Sequence, residues 1–169
     1  GIIGRDAADD TPFAKSVKFV DPIRASKDVV DILLNKEKVD LIVCLSHSGT
    51  LRVKADEKIK KESEDEFLAQ EVPQIDVIIS GHTHTLLPQP LKIGKTVIVS
   101  CGCYGEYLGI LRIYTAKGKP VRVASYELEK ISTGIPDDRI IAEEVDKYKD
   151  IVNKKFLSSY HLSFDQVIA

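Results

Sequence analysis

Continuous aliphatic runs and amphipathic stripes alternate along the first half of this chain. The runs V-D-L-I-V-C-L (residues 39–45) and I-D-V-I-I (75–79) carry almost no polar interruption, which predicts strands buried on both faces. Around them the spacing lengthens. Val29, Val30, Leu33 and Leu34 form a helical stripe that Ser26 is placed to cap. The charge-rich residues 55–71, with Ile59, Phe67 and Leu68 as their apolar members, read as a surface helix ended by Pro73. Upstream, G-I-I-G is a short apolar start followed by a polar loop, and S-V-K-F-V-D-P (16–22) reads as a strand or extended run. Beyond Pro88 and Pro90, short strands broken by Gly and Pro turns predict a β-meander. The last block, 137–156, is an amphipathic helix with Ile140, Ile141, Val145, Tyr148, Ile151, Val152 and Phe156 on one stripe.

Strand, helix, strand over some 35 residues is a βαβ unit, whose handedness brings both strand ends to one edge of a sheet. Both runs end on histidine there: L-S-H-S-G delivers His47, and S-G-H-T-H-T delivers His82 and His84, two residues apart and on one side of an extended turn. Ligands bind at that edge in open α/β sheets, and neutral imidazole is the commonest protein ligand for zinc-like metals. Three histidines after two matched strands therefore predict a metal site. His161 stands alone near the end and reads as a surface or interface residue.

Composition narrows the picture. At 43% apolar and 30% charged the chain has globular values, and a net charge of −2 gives no electrostatic case for nucleic acid. No apolar run is long enough to span a membrane and no signal peptide is visible. The chain starts at Gly1 and contains no methionine, so it is expected to be processed, truncated or part of a longer polypeptide. Three cysteines exclude a complete disulfide framework; Cys44 reads as core, and Cys101 and Cys103 as structural. Asp40 and Asp76 mark the turn into each strand. Arg52 reads as solvent-facing, K-I-K-K-E-S-E-D-E as a solvated helix face, and Tyr104 and Tyr107 as a packed hairpin turn.

L-S-H-S-G and S-G-H-T-H-T resemble the last two motifs of the calcineurin-like metallophosphoesterases. The likeness is closer to the 5'-nucleotidase branch, because G-I-I-G, F-V-D-P-I, V-D-L-I-V-C-L-S-H, I-I-S-G-H-T-H-T-L-L-P-Q-P, T-V-I-V-S and Y-G-E-Y-L-G-I-L follow that branch's order and spacing. The resemblance implies an α/β fold: part of a metallophosphoesterase β-sandwich flanked by helices, then a long linker helix. Residues 1–130 would be the C-terminal half of the metal-binding domain, and 131–169 a linker helix leading to a C-terminal domain that is absent.

In that family two divalent metal ions clamp a phosphate, and zinc, manganese and iron all suit the ligands. By motif position His47 and His82 would ligate one metal and His84 the other. The implied activity is hydrolysis of phosphomonoesters, foremost nucleoside 5'-monophosphates. Cyclic nucleotides, nucleotide sugars and thiosulfate-bearing carriers are alternatives, as is a non-catalytic metal-binding module. The family's earlier motifs, Asp-x-His, a bridging Gly-Asp and Gly-Asn-His, do not occur, so no catalytic residue is assignable. Three neutral imidazoles do not offset the repulsion of two dications. The chain alone is expected to bind at most one metal, weakly, and to be inactive, with the missing half or another chain as partner. A periplasmic, extracellular or surface location follows from the family alone.

Overall fold

The computed structural model describes residues 1–14, 16–54 and 56–166, which form two compact units, Gly1–Ile131 and Ser132–Ala169. The first is built on strands β1 (Ile2–Ile3), β2 (Val43–His47), β3 (Val77–Ser80), β4 (Leu91–Ile93) and β5 (Thr96–Val99), in the order β1-β2-β3-β5-β4. All neighbours are parallel except the antiparallel edge strand β4. Helices α1 (Arg5–Asp9), α2 (Pro22–Asn35) and α3 (Glu64–Glu71) precede or connect the strands, and a hairpin of β6 (Tyr107–Ala116) and β7 (Lys119–Lys130) follows.

Two cores hold these layers. On the helix side Val30, Leu68, Ala69 and Val72 pack with Ile42, Cys44, Ile78 and Ile98. Burying one such Leu or Ile contributes roughly 1.5–3 kcal/mol. On the other face Val121 of the hairpin, with Leu111, Ile113 and Tyr126, covers Val77, Val97 and Val99. The hairpin covers only part of that face. An apolar slot of about 340 Å³ remains among Val43, Ile79, Leu111 and Tyr126, and Leu45 of β2 is 60% exposed. The first aliphatic run is thus buried on the helix side alone, contrary to its reading as buried on both faces.

Three further elements depart from their sequence reading. Asp21, not Ser26, caps α2: its carboxylate accepts from the Arg24 amide at 2.8 Å, Pro22 occupies the first turn, and Ser26 is buried inside the helix. Residues 16–20 join no ladder. L-K-I-G-K-T-V-I-V-S is no meander; it folds about Gly94 as β4–β5, and β5 enters the main sheet beside β3, which is why all four of its residues are buried. The expected helix over 55–71 is confined to Glu64–Glu71, and residue 55 lies outside the described residues. Asp76 acts as expected at the strand entrance, accepting from the Ile42 amide at 3.0 Å.

The second unit contains α4 (Arg139–Lys155) and a 3-10 turn, Leu157–Tyr160. Asp138 caps α4, accepting from the amides of Ile140 and Ile141, and none of the helix's residues is buried. His161 lies here, exposed and in the left-handed region.

Candidate metal centre

Strands β2 and β3 are parallel neighbours with Ser46 opposite Ser80, so the residues that follow leave the sheet side by side. The Gly81 amide donates to Ser46 O at 2.9 Å, and the rings of His47 and His82 come to rest 5.0 Å apart. The G-H-T-H turn is not extended. His82 (φ 74°) and His84 (φ 56°) are both left-handed, and this winding separates their directions. His82 turns toward His47 and places Nε2 3.1 Å from Asp6 Oδ2, whereas His84 packs edge-on against Tyr104 at 5.1 Å. Tyr104 is 85% exposed, so it is not the packed turn residue that the sequence suggested.

Left-handed backbone at a non-glycine residue costs of order 1–3 kcal/mol and persists where surroundings enforce it. Here Thr83 supplies the enforcement. Its hydroxyl accepts from the Thr50 amide at 3.1 Å and donates to Thr50 O at 2.7 Å, stapling the second histidine turn to the first. Gly49 makes the staple possible. It has φ 92°, and a Cβ there would lie 2.3 Å from Thr83 Cγ2. Gly49→Ala is therefore expected to lower unfolding stability by at least about 1–3 kcal/mol from backbone strain alone. A urea titration checks this, and a midpoint equal to that of the native chain would contradict the staple.

The floor of the site is the first turn of α3, and here the sequence reading fails most. The run containing Glu64, Asp65 and Glu66 was read as a solvated face, yet Asp65 and Glu66 are both 0% exposed. Glu66 accepts from Thr50 Oγ1 at 2.6 Å and pairs with Arg52 at 2.6 Å. Arg52 is 6% exposed and also donates to Glu57 O, so it does not face solvent. Ser63 accepts from the Leu51 amide at 3.1 Å. Burial raises the Asp65 carboxyl above the usual carboxylate range, against the pull of Ser46, Ser80 and the Gly49 amide.

Glu64 reaches the opposite way. Its two oxygens accept from the amides of Arg5 and Asp6 at 2.8 and 3.0 Å, satisfying the start of α1, which the sequence reading took for a polar loop. That helix brings Asp6 and Asp10 onto one side, and one ligand atom from each of Asp6, Asp10 and His82 lies within 4.8 Å of the other two. Two carboxylates and an imidazole at such spacing suit a divalent cation, whose ligands stand about 2.0–2.6 Å from the ion. Sequence reasoning missed both acids. The available signal was the i, i+4 spacing of Asp6 and Asp10 directly after an aliphatic G-I-I-G. Of the expected ligands, the structure brings His82 into this group and His47 against His82, and sets His84 beside Tyr104.

Residues 8–86 match the family described as calcineurin-like phosphoesterase. The chain is 27% identical to a 5'-nucleotidase of Diplobatis ommata, over 89% of this chain and 27% of that protein. It is 31% identical to the trifunctional nucleotide phosphoesterase protein YfkN of Bacillus subtilis, over 64% of this chain and 7% of that protein. Among solved structures it is similar to the sulfate thiohydrolase SoxB of Thermus thermophilus in complex with glycerol, with a TM-score of 0.60 and 27% identity over 83% of this chain and 23% of that chain. The chain thus spans at most 27% of the length of these relatives. By matched residues 8–86 and by fold, the chain is similar to the calcineurin-like phosphoesterases, with 5'-nucleotidases among its relatives.

Proposed function

We propose that this chain is the C-terminal half of a metal-dependent phosphoesterase domain, acting within a longer protein on phosphomonoesters and foremost on nucleoside 5'-monophosphates. The observation that carries the reading is the meeting of His47, His82 and Asp6 at the carboxyl edge of the parallel sheet. His47 and His82, joined by Asp6 and Asp10, would hold one metal, and His84 would serve the other. A divalent cation bound there polarises a phosphoryl oxygen and activates water. The chain's own part is to fix the imidazoles through the Thr83–Thr50 staple and to supply carboxylate charge through α1.

Asp6 and Asp10 contribute two negative charges, too few to hold two dications close together. The chain alone is therefore expected to take up one zinc or manganese ion and to remain inactive, the second ion's other ligands lying on another segment. In the full domain, Ser132–Ala169 would serve as a linker to a substrate-recognising domain. A location outside the cytoplasm is inferred from relatives such as a snake venom 5'-nucleotidase; no described helix is long and apolar enough to cross a membrane.

The test is calorimetric titration of the chain with Zn²⁺ and Mn²⁺, together with phosphate release by a longer polypeptide containing residues 1–169. The expected result is one ion per chain, and hydrolysis of a nucleoside monophosphate that a chelator abolishes. Absence of metal uptake would overturn the reading, and robust turnover by the short chain would show the ligand assignment to be incomplete. Uptake without hydrolysis in the longer polypeptide would favour a non-catalytic module. The likeness to a sulfate thiohydrolase supports a second reading, a thio-substrate on the same centre, so the assay includes a thiosulfate-bearing arm.

A further inference from the structure

We propose that Asp65 is a positioning residue that holds the two histidine turns in register with each other, so that the metal affinity of the site depends on a side chain that is not itself a ligand. The proposal rests on the metal-site reading given above, and adds to it a residue outside the ligand set.

The geometry begins one residue before each turn. Ser46 and Ser80 are partners in the β2–β3 ladder, and both are buried. Asp65 stands beneath them. The Ser46 hydroxyl faces two acceptors, Asp65 Oδ1 and Ser48 Oγ at 2.9 Å, and its one proton is shared between them. Asp65 Oδ2 accepts from the Gly49 amide at 3.1 Å, and the Asp65 amide donates to Gly49 O at 3.0 Å. One residue of α3 therefore grips positions 46 and 49 directly and position 48 through Ser46, on both sides of His47. The Ser80 hydroxyl, one residue before Gly81, also favours the charged form of this carboxyl, although it lies outside good hydrogen-bond geometry.

The energetics make this grip cooperative. A carboxylate removed from water is costly unless its lone pairs are met, and these bonds are what meet them. Asp65 is fully buried, so water does not substitute for a lost partner. Once the carboxylate is in place, the loop around His47 has one arrangement that satisfies it. The Gly49 end of that arrangement packs against Thr83, which fixes the His82 turn. Asp65 thus acts on His47 by direct bonds to its neighbours, and on His82 through Gly49 and Thr83.

The test compares the full chain with its Asp65→Asn, Asp65→Ala and Ser46→Ala variants. Long-range ¹H–¹⁵N spectra of the histidine rings are recorded without metal, and Co²⁺ affinity is measured by calorimetry, both well below the unfolding temperature. An asparagine keeps an oxygen for the Gly49 amide and turns an NH₂ toward Ser46 Oγ, whose proton is then free for Ser48. D65N is therefore expected to stay near the native affinity. D65A is expected to move the His47 and His82 signals together and to weaken Co²⁺ binding by roughly 10–100-fold, the usual loss when an outer partner of a ligand is removed. A residue that only stabilised α3 would lower the unfolding temperature and leave the ring signals in place, and that result overturns the proposal. If D65A does not fold, S46A decides: a displaced His47 signal supports the tie and an unmoved one ends it. Should the native chain bind no Co²⁺, the metal reading fails while the ring spectra still judge the positioning role.

Discussion

Alanine at position 82 is expected to cost this chain more of its divalent-cation affinity than any other single histidine substitution. His82 supplies the imidazole within 4.8 Å of Asp6 and Asp10, and its ring is also the one in contact with His47. Removing an outer partner of a ligand typically costs about 10–100-fold, so removing the ligand itself is expected to exceed about 100-fold, or about 2.7 kcal/mol in binding free energy. Stability should change little, because the ring lies at the sheet edge rather than in either core. Calorimetric titration with Zn²⁺ gives the affinity and urea unfolding gives the stability. His161→Ala is the control, since that residue is exposed in the other unit. An H82A affinity within threefold of native would remove His82 from the ligand set, and His84→Ala in the same series shows whether the second histidine of the turn contributes.

The largest stability effect is expected at Arg52. Its guanidinium meets Glu66 at 2.6 Å beneath the His47 turn, and Glu66 is wholly buried. Breaking a buried pair by removing one partner costs about 3–5 kcal/mol, because the remaining charge stays buried without compensation. Arg52→Ala is expected to show that loss in urea unfolding, with the slope unchanged. Against a typical total of about 5–15 kcal/mol, this is enough to unfold a marginal chain. The double replacement R52M with E66L should recover much of the loss, since apolar side chains of similar volume remove both charges together. It would not recover Thr50, whose hydroxyl then loses its acceptor. A loss below 1 kcal/mol in R52A would mean that water reaches Glu66 in solution.

The parts of the fold that were legible in the sequence are those encoded by local pattern. Two aliphatic runs, the βαβ connection between them and the histidines at their ends follow from side-chain periodicity and connection handedness. The long amphipathic helix was legible for the same reason, although it starts at Arg139, behind its Asp138 cap, rather than at 137. The failures share one cause. Arg52, Asp65 and Glu66 look like solvent residues by type, and charged residues are almost never fully buried unless paired. Their partners, Thr50, Ser46 and the Gly49 amide, lie 16–19 positions away or, for Arg52 and Glu66, in each other. No local rhythm reports such a pairing. Asp6 was missed likewise, because its nearest imidazole is 76 positions distant.

What the amino-acid sequence determined by itself is the class of the fold, the edge at which the chemistry gathers and the family to which its motifs point, since each follows from short-range pattern and residue type. Which faces of the strands stay open, which way His82 and His84 turn, and which carboxylates join or brace them were decided only by tertiary structure. The reason is physical: left-handed backbone at positions 82 and 84 and the burial of charge at 52, 65 and 66 are each unfavourable alone. They are sustained only when distant segments meet and satisfy one another.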